Sequence, residues 1–268
     1  MSNERFFTHP LLPFVECRYS QNSGRHYKPH LHKQFSIGAI DKGEVCYDVA
    51  GETAVLQPGN LALINPEIIH FCNPLADGSR SYYVLYLDVN WCLQVQQSLW
   101  QLDSFQPVNT LLLENLELYQ QYISTMTRLM AEGDILGKEQ ALVSLVTKVF
   151  HLCCKPGKYV PALCTQVREL KNILSTNLAT SISLNHLAKG LRVNPYTLLR
   201  QFKKETGITP HAYRLNCRIE LAKKLLRQGI EPAEAALECG FFDQSHLHRH
   251  FKAVTAATPG EYQRNFVQ

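Results

Sequence analysis

The chain has 268 residues, 27 Lys+Arg against 23 Asp+Glu, and a 45% hydrophobic composition. That length suits two domains with a core each, and that composition excludes a disordered or fibrous polymer. There is no uninterrupted apolar span of roughly 20 residues, and no cationic start leading into an apolar run of roughly 7 to 15, so neither membrane insertion nor secretion is expected and the expected location is cytoplasmic. The nine cysteines, an odd number, form no Cys-x-x-Cys pair and fit no zinc-finger spacing. They are expected to be small buried hydrophobes.

From Pro13 to Val89, strand-forming runs at 14–19, 35–40, 44–49, 53–56, 61–64 and 82–87 alternate with turn signals such as Gly43, Gly51, Pro58-Gly59 and Asn65-Pro66. Many short strands at this spacing imply an antiparallel barrel or sandwich. His30 and His32, two apart on an expected strand, would share a face and with His70 could surround a metal or line a polar effector pocket. Glu16 and Arg18 would also share a face, and suit the ammonium and carboxylate of an amino-acid-like molecule. No ordered nucleophile, base and orienting group is readable, so no catalytic residues are expected.

Residues 111–130 and 138–153 repeat apolar side chains at helical spacing, with Leu142, Leu145, Val146 and Val149 on one stripe and Gly133 and Gly137 at the break. Residues 155–163 then read as a Pro/Gly linker.

Beyond that linker one short pattern occurs twice, 49 residues apart. The offset carries Asn194 to Asp243, Leu198 to Leu247, Arg200 to Arg249, Phe202 to Phe251, Lys203 to Lys252, Pro210 to Pro259 and Tyr213 to Tyr262. Asn194 and Asp243 can cap a helix start, and Leu198 with Phe202, like Leu247 with Phe251, lie four apart on what would be the packed face. The opposite faces then present Tyr196, Leu199, Arg200 and Lys203 in one copy, and Gln244, Ser245, His246, His248, Arg249 and Lys252 in the other. Helical stretches at 182–188 and 231–237, each followed by a turn with Gly190 or Gly240, complete helix-turn-helix units at 182–203 and 231–252. The second turn is one residue longer, since Ala188 to Phe202 is 14 positions and Ala236 to Phe251 is 15. Between the copies, residues 211–227 form a strut with Leu215, Ile219, Ala222 and Leu226 on one stripe and Arg214, Arg218, Lys223, Lys224 and Arg227 around it. A strut that sets the two helices roughly 34 Å apart would let them enter two adjacent major grooves of double-stranded DNA. Charge is divided in the same sense: residues 161–268 carry 15 Lys+Arg and 8 Asp+Glu, a net of +7, against −3 for residues 1–160.

Residues from about 165 to 268 resemble the tandem helix-turn-helix domain of AraC/XylS transcription regulators, through the segment 235–252 with Thr258-Pro259 and Tyr262, and through its echo at 193–210. The resemblance implies that Tyr196, Arg200, Gln244, Ser245, His246 and Arg249 face bases and that Lys203 and Lys252 lie nearer phosphates. Leu199 stands where members of the family often carry a polar base reader, and Ala256-Ala257 replaces a Gly-apolar pair. His30, His32, Gly43, Pro58-Gly59, Asn65-Pro66 and His70 are similar to the small cupin barrel of such regulators, although Ser36 and Ile37 occupy the places where a metal-binding cupin supplies a Glu.

The sequence thus predicts an α+β multidomain chain: a cupin-like barrel at 10–110, a helical dimerisation segment at 111–154, a linker at 155–163 and an AraC-type DNA-binding domain at 164–268. The expected function is sequence-specific transcription regulation by a small-molecule effector held at His30, His32, His70, Glu16 and Arg18. A homodimer, an operator and RNA polymerase are the expected partners, with no cofactor, metal or membrane. The alternatives are a metal-dependent cupin enzyme fused to a DNA-binding module, and an effector-independent DNA binder.

Overall fold

The computed structural model describes residues 3–75, 78–155, 164–180 and 182–267. The strands and helices of the first half run β1 (Asn3–His9), β2 (Leu12–Ser23), β3 (Phe35–Lys42), β4 (Val45–Val49), β5 (Glu52–Leu56), β6 (Asn60–Ile64), β7 (His70–Pro74), β8 (Arg80–Leu87), α1 (Val89–Gln97), β9 (Leu112–Glu114), α2 (Leu116–Met130) and α3 (Ile135–Cys153). The second half runs α4 (Thr165–Ser175), α5 (Leu184–Gly190), α6 (Pro195–Thr206), α7 (Pro210–Arg227), α8 (Pro232–Glu238), α9 (Gln244–Thr255), α10 (Pro259–Arg264) and β10 (Phe266–Val267). The chain divides into two compact units, one of residues 1–26, 33–158 and 265–268, the other of residues 27–32 and 159–264. Apart from Lys155, the linker expected at 155–163 lies outside the described residues.

In the first unit the strands form a seven-stranded sheet, in the order β10-β1-β2-β8-β3-β6-β9, and a three-stranded sheet, β5-β4-β7. All pairs are antiparallel except β1 with β10. The fold class is the expected one, an antiparallel sheet domain followed by tandem helix-turn-helix units. The sheets share no strand, so among the described residues no hydrogen-bonded ring closes the barrel.

Register decides what each face of the larger sheet carries. Cys17 pairs with Leu85, Leu85 with Ile37 and Ile37 with Leu63, which sets four fully buried apolar side chains in a row across four strands. This row belongs to one core with Tyr122, Met126, Leu142, Val146, Val149 and Phe150 of α2 and α3. Tyr119 and Tyr122 fix the packing, each donating a 2.7 Å hydrogen bond to the sheet, at the Ile40 and Ile37 carbonyls. Helices α2 and α3 thus cover the sheet with the stripe read from the sequence.

Two local expectations need correction. The helix expected from residue 111 starts at Leu116, because Asn115 accepts the Leu118 amide as its cap and Leu112–Glu114 pair with β6. Strands β1 and β7 and helix α1 had no expectation attached to them. His30 and His32 are not on a strand: residues 24–34 are irregular apart from a single bridge at His30, in a run where Pro29 lacks an amide to donate.

Candidate nucleic-acid interface and sensor face

Helices α6 and α9 begin where the repeat requires. The Asn194 carboxamide oxygen accepts the Tyr196 and Thr197 amides at 3.0 and 3.3 Å, and the Asp243 carboxylate accepts the His246 amide at 2.6 Å. Leu198 and Phe202 are buried on α6, as are Leu247 and Phe251 on α9. Each buried Phe meets the Tyr of its own copy edge-on, Phe202 against Tyr213 at 5.6 Å and Phe251 against Tyr262 at 5.4 Å between centroids. With those faces fixed inward, Tyr196, Arg200, Lys203, Gln244, Ser245, Arg249 and Lys252 are exposed, while Leu199 and His246 are partly buried. Both helices end in a left-handed residue, Gly207 with φ 78° and Ala256 with φ 54°, so the repeat extends to the caps.

His246 is more constrained than a surface reader. Its Nδ1 accepts the Phe242 amide at 3.3 Å, so the neutral ring carries its proton on Nε2. Its ring stands 4.7 Å from that of His250 and 5.4 Å from that of Phe241. Burial, with His246, Arg249, His211 and Lys28 adding to it, lowers the His250 pKa from its usual value.

Not every basic residue of the strut is exposed. Arg214 is buried and donates to the carbonyls of Leu174, Thr176, Asn177 and Thr180, and Arg218 donates to that of Leu178 at 3.0 Å. These two residues hold the end of α4 and the loop behind it, a role the alternation of charge and apolar residues along α7 does not reveal. Lys223 is also buried, 3.6 Å from Glu220. The strut stripe is otherwise as expected at Ile219, Ala222 and Leu226, with Leu215 only partly buried.

In the first unit, the face of the large sheet turned away from α2 and α3 carries buried polar groups among the buried apolar side chains Phe6, Ile40, Ala62 and Ile64. Glu16 pairs with Tyr86 and Tyr86 with Ser36, while Arg18 lies between Phe6 and Val84 in register, so Glu16 and Arg18 share this face as their spacing predicts, and the register adds Ser36. Arg18 Nε meets the Glu4 carboxylate at 2.8 Å, and Ser20 donates to the other oxygen of Glu4 at 2.8 Å. Arg80, 2% exposed, donates to the carbonyls of Ser23, Arg25 and Cys72. His70 is buried on β7 and its Nδ1 meets the Ile68 carbonyl at 2.9 Å, which makes Nε2 the acceptor of the neutral ring. His30 and His32 fall in the segment 27–32 that groups with the second unit, where their rings are 6.5 Å apart and His30 Nδ1 meets the Lys28 carbonyl at 2.8 Å. Among the described residues no three His, Cys, Asp or Glu side chains gather closely enough to hold a metal ion, and no helix is long and apolar enough to cross a membrane.

Two capped helices with exposed polar faces on one strut, in a chain whose other half is an antiparallel sheet with buried polar groups, define a DNA-binding regulator with a ligand-binding domain. The AraC-like ligand binding domain family matches residues 13–146, and a helix-turn-helix domain family matches residues 187–265. The chain belongs to the AraC family of transcription regulators. The HTH-type transcriptional regulator YbfI of Bacillus subtilis is 28% identical over 231 residues, covering 81% of this chain and 80% of that protein. The arabinose operon regulatory protein of Salmonella typhimurium is 25% identical over 250 residues, covering 88% and 85%. Among solved structures, apo ToxT from Vibrio cholerae superposes with a TM-score of 0.64 at 14% identity over 98% of this chain and 96% of that one. Wild-type ToxT with a bound unsaturated fatty acid gives a TM-score of 0.62 at 18% identity over 98% and 94%. At these identities the likeness to ToxT is one of fold.

Proposed function

We propose that this transcription regulator reads a specific operator with α6 and α9 and responds to a small polar molecule held by its sheet domain. The observation that carries the reading is the matched pair of capped helices, whose apolar sides are buried and whose polar sides, with Arg200, Lys203, Gln244, Ser245, Arg249 and Lys252, stand in solvent. Base-edge contacts from Tyr196, Arg200, Gln244, Ser245, His246 and Arg249 would set sequence preference, and Lys203 and Lys252 would set phosphate affinity.

For the effector, the support is a set of buried polar groups, Glu16, Arg18 and Ser36 on the larger sheet and His70 on the smaller one. An amino-acid-like molecule can exchange hydrogen bonds with such groups, which an aliphatic chain cannot. A fatty acid is bound in a ToxT structure; the buried carboxylate, guanidinium and imidazole of Glu16, Arg18 and His70 favour a more polar effector here. The sheet region 10–110 is the sensor, residues 111–154 hold two copies together through the outer side of α3, where Leu136 and Val143 are exposed, and residues 164–268 bind DNA and offer a surface to RNA polymerase. Since the relatives are transcription regulators, no catalytic role is assigned.

The test uses the full-length protein in two steps. Selection from random duplex DNA is expected to return one sequence class with two half-sites about one helical turn apart. A thermal-shift screen of amino acids and similar polar molecules is expected to give a hit that His70→Ala removes. Selection returning no sequence class would overturn the reader assignment, and a hit confined to long-chain fatty acids would overturn the effector class.

A further inference from the structure

The one-residue difference between the two turns has a definite location. Val193 donates its amide to the Ala188 carbonyl at 3.0 Å, and Phe241 donates to the Ala236 carbonyl at 2.9 Å. Just before them, Arg192 and Gly240 are both left-handed, with φ of 55° and 79°. The turns therefore match residue by residue through Val193 and Phe241. In the first copy the next residue is the cap, Asn194; in the second, Phe242 intervenes before Asp243. Phe242 is the added residue, and at 86% exposure it is the most exposed large hydrophobic side chain among the described residues.

It is also held in place. Its amide donates to His246 Nδ1, so the added residue is tied to the first turn of α9, beside exposed Gln244 and Ser245. A recognition helix meets base edges with its N-terminal residues. A phenyl ring kept in water at this position gains when it meets an apolar group, and the only apolar group on a base edge in the major groove is the thymine 5-methyl.

We propose that Phe242 is a specificity-determining residue, packing its ring against the methyl of one thymine at the border of the half-site read by α9. This rests on the reading of α9 as a DNA reader and adds to it a base identity that the polar readers do not supply.

The experiment uses the full-length protein and a duplex selected with it from random DNA. Replacing that thymine with uracil, which differs only in lacking the methyl, is expected to weaken binding about three- to fivefold. Phe242→Ala is expected to lose the same factor on the thymine duplex and nothing further on the uracil duplex, while Phe242→Tyr keeps the wild-type preference. Because the ring is in solvent, the thermal midpoint should not move. If Phe242→Ala keeps the wild-type thymine-to-uracil ratio at every thymine of the half-site, the proposal is wrong. It is equally wrong if DNA binding is unchanged and only transcription in a reporter falls, since the ring then meets a protein partner. Arg249→Ala on the same duplex separates the two levels. A loss there with none for Phe242→Ala refutes the proposal alone, and no loss for either refutes the reader assignment and the proposal with it.

Discussion

The carbonyl oxygen of Leu178 occupies the space that a side chain on Gly240 would need. A Cβ at Gly240 would lie 2.5 Å from that oxygen, 2.7 Å from Ala179 Cα and 2.9 Å from an Arg218 guanidinium nitrogen, and Gly240 has a left-handed φ of 79°. Arg218 donates to the same Leu178 carbonyl, so the loop behind α4, the strut and the second turn meet at one point. Gly240→Ala is therefore expected to destabilise the C-terminal helices by about 2 to 3 kcal/mol, from left-handed strain and a backbone clash together. Gly190 gives the opposite sign. It ends α5, and a Cβ there meets nothing within 4 Å, so Gly190→Ala should stabilise by about 0.5 to 1 kcal/mol. Urea denaturation of the two variants, followed on the C-terminal transition, checks both signs.

The two glycines also show where sequence reading stops. Placed side by side as turn markers they look equivalent, yet the left-handed residue of the first turn is Arg192, and Gly190 is helical. Spacing fixes faces and caps, which is why Asn194, Leu198, Phe202 and their counterparts stand where the repeat puts them. It does not fix what a charged residue does once the helix packs. Arg214 and Lys223 look like solvated charges on α7 and are buried, because their long stems cross apolar surface to reach carbonyls or Glu220. Likewise Glu16 and Arg18 share a face as alternation requires, but Arg18 turns to Glu4, on a strand that no pattern marked. Local periodicity is legible; partners brought from distant strands are not.

That Glu4–Arg18 pair separates structure from sensing. Both groups are buried, at 3% and 2% exposure, and Ser20 satisfies the second oxygen of Glu4. Removing Arg18 takes a charged donor from the buried Glu4 carboxylate and leaves it with Ser20 and with Arg25, 3.8 Å away, so Arg18→Met is expected to cost about 1 to 3 kcal/mol. Glu4→Gln combined with Arg18→Met should recover much of that loss. Denaturation of the single and double variants measures the coupling. If the restored double variant also regains effector response, Arg18 is a structural residue and the effector-binding role belongs to its neighbours.

The division of labour on the readers has a separate signature in salt. Arg249 is exposed on α9, and on the proposed reading it would offer a bidentate donor to a guanine edge, so Arg249→Ala should cost about 1 to 3 kcal/mol on the selected operator and relax the preference at one position. Lys203, exposed near the end of α6, should act through phosphate instead. Lys203→Ala is expected to weaken all sequences alike and to reduce the slope of log affinity against log salt by about one. Fluorescence anisotropy across a salt series, on operator and on scrambled duplex, distinguishes the two. Equal loss on both duplexes for Arg249→Ala would move it to the phosphate class.

Acid should loosen the second reader before it affects the first. His250 lies on α9 itself, partly buried, with its ring stacked 6.3 Å from that of Phe241 and 4.7 Å from that of His246. Burial comes first among the causes that lower its pKa, followed by His246 and Arg249 of its own helix, His211 of α7 and Lys28 of the segment 27–32. A histidine whose folded pKa lies below its unfolded value near 6.5 takes up a proton more readily in the unfolded chain. Its contribution to stability is therefore complete above about pH 6.5 and falls as pH drops through that value toward the folded pKa. His250→Gln keeps a polar group of similar reach but cannot titrate, so it should flatten the loss of stability between about pH 6.5 and 5. Thermal melts of wild type and variant across that range supply the comparison, with His211→Gln as a second variant. Parallel pH profiles for wild type and His250→Gln would mean that the acid sensitivity arises from another group. A flattened profile for His250→Gln with little change for His211→Gln would place the proton on His250 of α9, the helix that also carries Gln244, Ser245 and Arg249.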